Sequence, residues 1–211
     1  IAQLTAQKDT LYNKVLEQAK VLTGLRVQAG KDIEKQMQSL LVPLGMPNVR
    51  FMVELTPRKE PDPKGMDCVT FLFSANKNRA VQPVTQIASG GEVSRLMLSI
   101  KSLVAHKADL PTIIFDEIDT GVSGEIAHRM GDILQSMSAD MQVITITHLP
   151  QIAAKGAQHY RVYKDDSGAQ TQTHIERLSN NERVNELAQM LSGKNITDAA
   201  LKNAQELLGI L

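Results

Sequence analysis

The chain has 211 residues, with 23 Lys plus Arg balanced by 23 Asp plus Glu and a formal net charge of zero. Its length suits one domain, or one domain with an extension. The charge balance excludes a global field that would draw in nucleic acid or a membrane surface, no apolar run approaches the roughly 20 residues that span a bilayer, and the single Cys68 excludes an internal disulfide and fits a reducing, cytoplasmic setting. A hydrophobic fraction of 42% permits a real core, built from aliphatic residues and nine Met because Trp is absent and aromatics are scarce.

The first elements follow from apolar spacing. Ile1, Leu4, Leu11, Val15 and Leu22, then Ile33, Met37, Leu40, Leu41 and Leu44, fall at helical steps with polar residues between them. The pattern fits a surface helix on a core and equally the foot of a coiled coil. Gly24 and Gly30 predict a kink or a change of partner. The first twenty residues lack the continuous apolar stretch of a signal peptide; a start without Met, in mid-pattern, is that expected of a piece of a longer polypeptide. Gly45-Met-Pro47 stops the helix. Val49–Leu55 and Cys68–Phe73 read as strands, Thr56–Asp67 with its three prolines as an exposed loop or hairpin tip, and Ser74–Gln86 as a polar connection.

Glu92–Ala108 reads as a helix with Val93, Leu96, Met97, Ile100, Leu103 and Val104 on one face. Ile113–Phe115 and Val143–Thr147 are apolar enough for buried parallel strands, and with the helix Gly124–Met137 between them they form a βαβ unit. His159–Lys164 and Thr171–Leu178 predict a hairpin around Asp165-Asp-Ser-Gly168, and Arg183–Leu191 and Thr197–Leu208 two closing helices. The fold class is therefore α/β, divided into an entry helix over 1–45 and a lobe over 46–211.

Three short segments carry chemistry. In Ser89-Gly90-Gly91-Glu92, adjacent glycines allow close backbone approach and the following helix aims free N–H groups at that spot, a natural place for a phosphate; a plain helix cap reads the same way. Asp116-Glu117 ends an apolar strand, where ligands of open parallel sheets bind. There Asp116 can hold Mg²⁺ beside nucleotide phosphates and Glu117 can orient and deprotonate a water; the competing reading is two acids in a solvated loop. His148 follows the next strand of the same unit, so it shares a sheet edge with Asp116 and can reach a terminal phosphate. Asp119-Thr-Gly121-Val-Ser123-Gly124 is either a turn with Ser123 as N-cap or a loop that crosses to a partner. His106, His128, His159 and His174 have no metal-site spacing and read as structural or surface residues. No GxxxxGK[ST] phosphate loop is present.

Together, Ile87-Ala-Ser-Gly-Gly-Glu-Val-Ser-Arg95, Ile114-Phe-Asp-Glu-Ile-Asp-Thr-Gly-Val-Ser-Gly124 and Thr147-His-Leu-Pro-Gln-Ile-Ala-Ala154 resemble the C-terminal half of an ABC-type ATPase head of the SMC superfamily. Within it, the chain is most similar to the RecN family of bacterial double-strand-break repair ATPases; Phe71-Leu-Phe-Ser74-Ala-Asn76, Leu44-Gly-Met-Pro47 and Arg183–Leu208 extend the likeness over nearly the whole chain. The resemblance implies a head assembled from both ends of a long polypeptide, with a coiled coil between them and the phosphate-loop Lys in the N-terminal half. Two such heads enclose two ATP molecules. It implies that Ser89, Gly90, Gly91 and Glu92 contact the nucleotide of the opposite head, that Asp116 serves Mg²⁺, that Glu117 is the general base, and that His148 meets the γ-phosphate. Asp119 to Ser123 would form the loop that crosses the dimer. The usual Leu-Asp of that loop falls on Val122-Ser123, so Asp119 and Ser123 enter only as candidates. Arg95 is open to a phosphate contact or a packing ion pair.

The partners implied are the N-terminal half of the same head, a second head and double-stranded DNA ends, with no membrane, in the bacterial cytoplasm at the nucleoid. This chain alone is expected to hydrolyse nothing. Other chromosome or nuclease-associated ATPases share the architecture, and a non-hydrolysing clamp gated by ATP would share the motifs; the residues after His148 and the intact Asp116-Glu117 pair favour the repair ATPase.

Overall fold

The computed structural model describes residues 1–87, 90–166 and 170–210, and at His106 the backbone alone. It divides into two compact units, residues 1–92 and 93–211.

The first unit opens with α1 (Ala2–Leu41), one unbroken helix of 40 residues. Neither Gly24 nor Gly30 interrupts it. Gly24 is exposed with open space where a Cβ would stand, whereas Gly30 is buried and a Cβ there would meet Val53 Cβ at 3.3 Å. The second glycine is thus a contact point, and the helix changes from exposed to packed along its length. It lies on β1 (Arg50–Asp62) and β2 (Gly65–Ser74), an antiparallel pair in register from Arg50↔Ser74 to Pro57↔Asp67. Glu34 accepts a hydrogen bond from Val53 N at 2.7 Å, and Asp67 accepts from Thr23 and pairs with Arg26. Buried Met37, Leu41, Leu44, Met46, Val49, Phe51 and Phe73 supply the core.

The expected loop over Thr56–Asp67 is corrected: both arms of the hairpin continue through it, and the turn is confined to Pro63 and Lys64. Prolines are tolerated because β1 is an edge strand in the order β1-β2-β3, where a missing N–H costs no ladder bond on the outer side. A register shift between Pro57 and Asp62 absorbs the irregularity. The expected polar connection contains β3 (Gln82–Pro83), paired to Leu72 and Phe73, and one 3₁₀ turn at Val84–Gln86.

The helix α2 (Gly90–Ala108) begins in the first unit and continues into the second. Next come β4 (Thr112–Asp116), α3 (Gly124–Met137) and β5 (Gln142–Ile146), with β4 and β5 parallel from Thr112↔Gln142 to Asp116↔Ile146. The expected βαβ unit is therefore present. Its burial is corrected: Phe115 is buried, but Ile114, Ile144 and Ile146 are exposed to 58%, 42% and 53%. Among the described residues this sheet has two strands, too few to cover both of its faces. A short α4 (Pro150–Ala153), started by Pro150 at a position that needs no N–H, went unread in the sequence.

The chain closes with β6 (Tyr160–Asp165) and β7 (Gln172–Arg177), the expected antiparallel hairpin, and with α5 (Asn180–Ser192) and α6 (Asp198–Leu208). Ser167 and Gly168 of the expected hairpin turn lie outside the described residues. Ser179 and Glu182 form a reciprocal capping box on α5, and Thr197 caps α6. Leu187 and Ala188 of α5 and Ala200 and Ala204 of α6 pack with Ala154 into one apolar cluster.

Candidate nucleotide site

Parallel pairing places the carboxyl ends of β4 and β5 side by side, so Asp116-Glu117 and Thr147-His148 emerge at the same end of the sheet. Glu117 N donates to Ile146 O at 3.1 Å, one bond beyond the ladder. Glu117 then takes φ +47°, a left-handed conformation that is costly for a residue with a side chain. Thr120 closes the turn, its N and Oγ1 both donating to Glu117 O, at 3.3 and 2.9 Å. The result sorts four consecutive residues: Asp116 and Glu117 stay exposed, while Ile118 and Asp119 are buried.

Asp119 is the acid with the unusual surroundings. Its side chain has no exposed surface. Thr147 Oγ1 donates to Asp119 Oδ2, and the same hydroxyl accepts from Leu149 N at 3.0 Å. Asp119 Oδ1 has no hydrogen-bond partner; the ring of His148 faces it, with Nδ1 at 3.7 Å. A buried polar atom left unpaired costs about 1–3 kcal/mol. His148 itself is 67% exposed.

Ser123 stands at the N-cap position of α3, in an extended conformation, but its side chain makes no capping bond. Val122 N donates to Asp119 O at 3.2 Å, and Gly121 and Gly124 hold φ of +76° and +57°, backbone that glycine adopts at little cost. Ser94 on α2 donates to Thr120 O at 3.5 Å and so fastens this loop to the helix. Sequence reasoning passed over Thr147 and Ser94; for Thr147 the signal was a hydroxyl immediately before the strand-end His.

Of the glycine-rich segment, Gly90, Gly91 and Glu92 form the first turn of α2, and Ser89 lies outside the described residues. A Cβ on Gly90 would meet nothing within 4 Å among the described residues, so packing against them does not explain the missing side chain. His174 stacks on Tyr163 with ring centres 5.3 Å apart, His128 lies beside Asp132 and Lys155, and His159 is half-buried. The side chain of His106 lies outside the described residues. A cleft of about 650 Å³, lined by His128, Gln151, Lys155 and Glu206 among others, is not lined by Asp116 or Glu117.

DNA repair protein RecN of Rickettsia felis is 41% identical over 206 residues, 98% of this chain and 38% of that protein. RecN of Vibrio cholerae is 37% identical over 99% of this chain and 38% of its own length, and RecN of Deinococcus radiodurans 36% identical over 97% and 36%. The resemblance is to RecN. It runs from end to end of the chain, which spans under two-fifths of the length of these RecN proteins. No family model matches. Among solved structures, an SMC head domain with a coiled coil and joint from Pyrococcus yayanosii aligns with TM-score 0.64 at 19% identity, over 97% of this chain and 34% of that one. A Pyrococcus furiosus SMC head bound to the C-terminal domain of ScpA aligns with TM-score 0.62 at 18% identity, over 90% and 46%. A third, from work on ATP-driven dimerization and DNA-stimulated activation of SMC ATPases, aligns with TM-score 0.56 at 17% identity, over 82% and 99%. At these identities the likeness shows the fold, and the fold is that of an SMC head.

Proposed function

We propose that this chain is the C-terminal part of an ATPase head that binds and hydrolyses ATP in DNA double-strand-break repair. In this reading residues 1–45 form the root of a coiled coil and 46–211 the C-terminal lobe of the head. The observation that carries it is the emergence of Asp116-Glu117 and of Thr147-His148 at one end of a parallel strand pair. The likeness to RecN proteins supports the repair role, and the SMC-head fold supports a head that pairs with a second copy around ATP.

Asp116 offers hard carboxylate oxygen at an exposed strand end, the donor chemistry that suits Mg²⁺. Among the described residues no three His, Cys, Asp or Glu come together; Asp116 is the residue that would hold the cation. Held there, such a cation would supply neutralisation of charge on the phosphates. Glu117, exposed and next to it, takes the proton of the attacking water. His148 donates to the terminal phosphate. Gly90, Gly91 and Glu92, together with Ser89, approach the nucleotide of the opposite head, where the free N–H groups of α2 favour an anion; Asp119 and Ser123 belong to the loop between the heads. The N-terminal part of the same head supplies the phosphate loop and Lys that this chain lacks, and DNA ends are the object on which the nucleotide cycle acts, in the cytoplasm at the nucleoid. No helix among the described residues is long and apolar enough to cross a membrane.

The test is ATP turnover by the complete protein, with and without DNA and with Glu117→Gln. Loss of turnover with retained ATP binding and a trapped head dimer supports the reading. Unchanged turnover rejects Glu117 as the base.

A further inference from the structure

Asp119 and His148 are linked more closely than their separation in sequence suggests. The Asp119 carboxylate is fully buried, a position where an acid requires compensation. Thr147 satisfies Oδ2, no hydrogen bond satisfies Oδ1, and the Nδ1 edge of the His148 ring faces that oxygen at 3.7 Å. The Thr147 hydroxyl also receives Leu149 N. The backbone before and after His148 is therefore tied through one hydroxyl to the same carboxylate. With 67% of its side chain exposed, the ring keeps its other edge open to the outside.

We infer that Asp119 is the positioning residue of His148: its buried carboxylate holds the Nδ1 edge inward, so that the Nε2 edge is presented outward to a phosphate oxygen. The inference rests on the reading above that His148 meets a phosphate. A carboxylate accepts the Nδ1 proton, and on a ring carrying both protons Nε2–H remains as the outward donor. Orienting a functional histidine through its second nitrogen is the service that outer carboxylates perform for ligating histidines, and losing such a partner costs about tenfold to a hundredfold. Asp119 then acts from beneath His148 and need not touch nucleotide, in keeping with its lack of exposed surface.

The experiment is a double-mutant cycle on ATP turnover in the complete protein: Asp119→Asn, His148→Ala and the pair. Asn keeps the volume of Asp and an oxygen for Thr147, and removes the charge. The expected result is that Asp119→Asn lowers kcat about tenfold with a smaller change in KM, and lowers it no further once His148 is Ala. Equal losses in both backgrounds overturn the inference, because Asp119 then acts without His148. If His148→Ala leaves turnover intact, the phosphate role of His148 fails and this inference with it. Should Asp119→Asn not fold, ¹⁵N spectra of histidine-labelled wild-type protein decide, with the His148 signals assigned by their loss in His148→Ala. A protonated Nδ1 supports the pairing, and a bare Nδ1 overturns it.

Discussion

Arg26 Nη1 lies 3.1 Å from Asp67 Oδ2, an ion pair that fastens the middle of α1 to the second strand of the hairpin. Thr23 Oγ1 lies within hydrogen-bonding distance of the same carboxylate, at 2.8 Å from Oδ2, and Arg26 Nη2 donates to Lys64 O at 2.7 Å. Asp67 is 6% exposed, so removing its cation leaves a charge without its main partner. Arg26→Ala is expected to cost about 3 kcal/mol, seen as a lowered urea midpoint. The double change Arg26→Met with Asp67→Leu restores most of the loss, since no buried charge remains; failure to restore it would assign the effect to the Thr23 contact instead.

The two glycines of α1 answer differently to a side chain. Gly24→Ala enters open space on an exposed helix and is expected to stabilise by about 1 kcal/mol. Gly30→Leu drives a side chain into Val53 and is expected to destabilise by about 1–3 kcal/mol. Thermal unfolding of the two variants separates them; a rise in midpoint for both would mean that α1 does not rest on β1 at Gly30.

Glu117 and Asp109 are the non-glycine residues described with positive φ, both at +47°. Replacing either with Gly relieves about 1 kcal/mol of backbone strain. Asp109→Gly, just past the end of α2, should stabilise without affecting ATP turnover. Glu117→Gly should stabilise by a similar amount and abolish turnover. Strain retained where the chemistry is proposed would thus be visible as stability exchanged for activity. Equal or lower stability for both variants would count against strain at these sites.

His159 gives the fold a response to acid. Burial, and then the nearby positive charge of Arg183, hold its pKa below the ordinary 6.5, partly opposed by Glu186. The folded state therefore resists protonation that the unfolded chain accepts. The stability contribution is full above 6.5 and is lost as pH falls from there toward the depressed folded value. His159→Gln should flatten this loss. Urea midpoints from about pH 7.5 down to about pH 5 test it; parallel curves for the two proteins would exclude His159. Asp132, whose pKa lies below 3.8 chiefly through its hydrogen bond with Lys155, loses its contribution only in more acidic solution.

Much of this arrangement was legible in the chain. The helix Gly124–Met137 has the bounds that its apolar spacing and the preceding Ser123-Gly124 suggest, and the acids and His148 end parallel strands as their apolar runs imply. What escaped depended on neighbours distant in sequence. Pro57 and Pro61 read as loop because nothing local says that β1 is an edge strand. Ile114, Ile144 and Ile146 read as buried because their composition is that of strands covered on both faces, whereas the described sheet has two strands. Asp119 looked like one more loop acid, since its burial follows from the left-handed turn at Glu117 and from a hydroxyl nearly thirty residues away.

From Ala2 to Gln18, α1 has no buried residue, and only Leu16 is half-covered; the first buried position is Ala19. At about 1.5 Å per residue the stretch Ala2–Gln18 runs about 25 Å away from a base clamped by Arg26, Gly30 and Glu34. Stiff over that stretch, the helix is a lever: a tilt of about 10° at the clamp displaces Ala2 by about 4 Å. The same ratio works in reverse, so a modest sideways force at Ala2 is felt as a larger force at Asp67 and Val53.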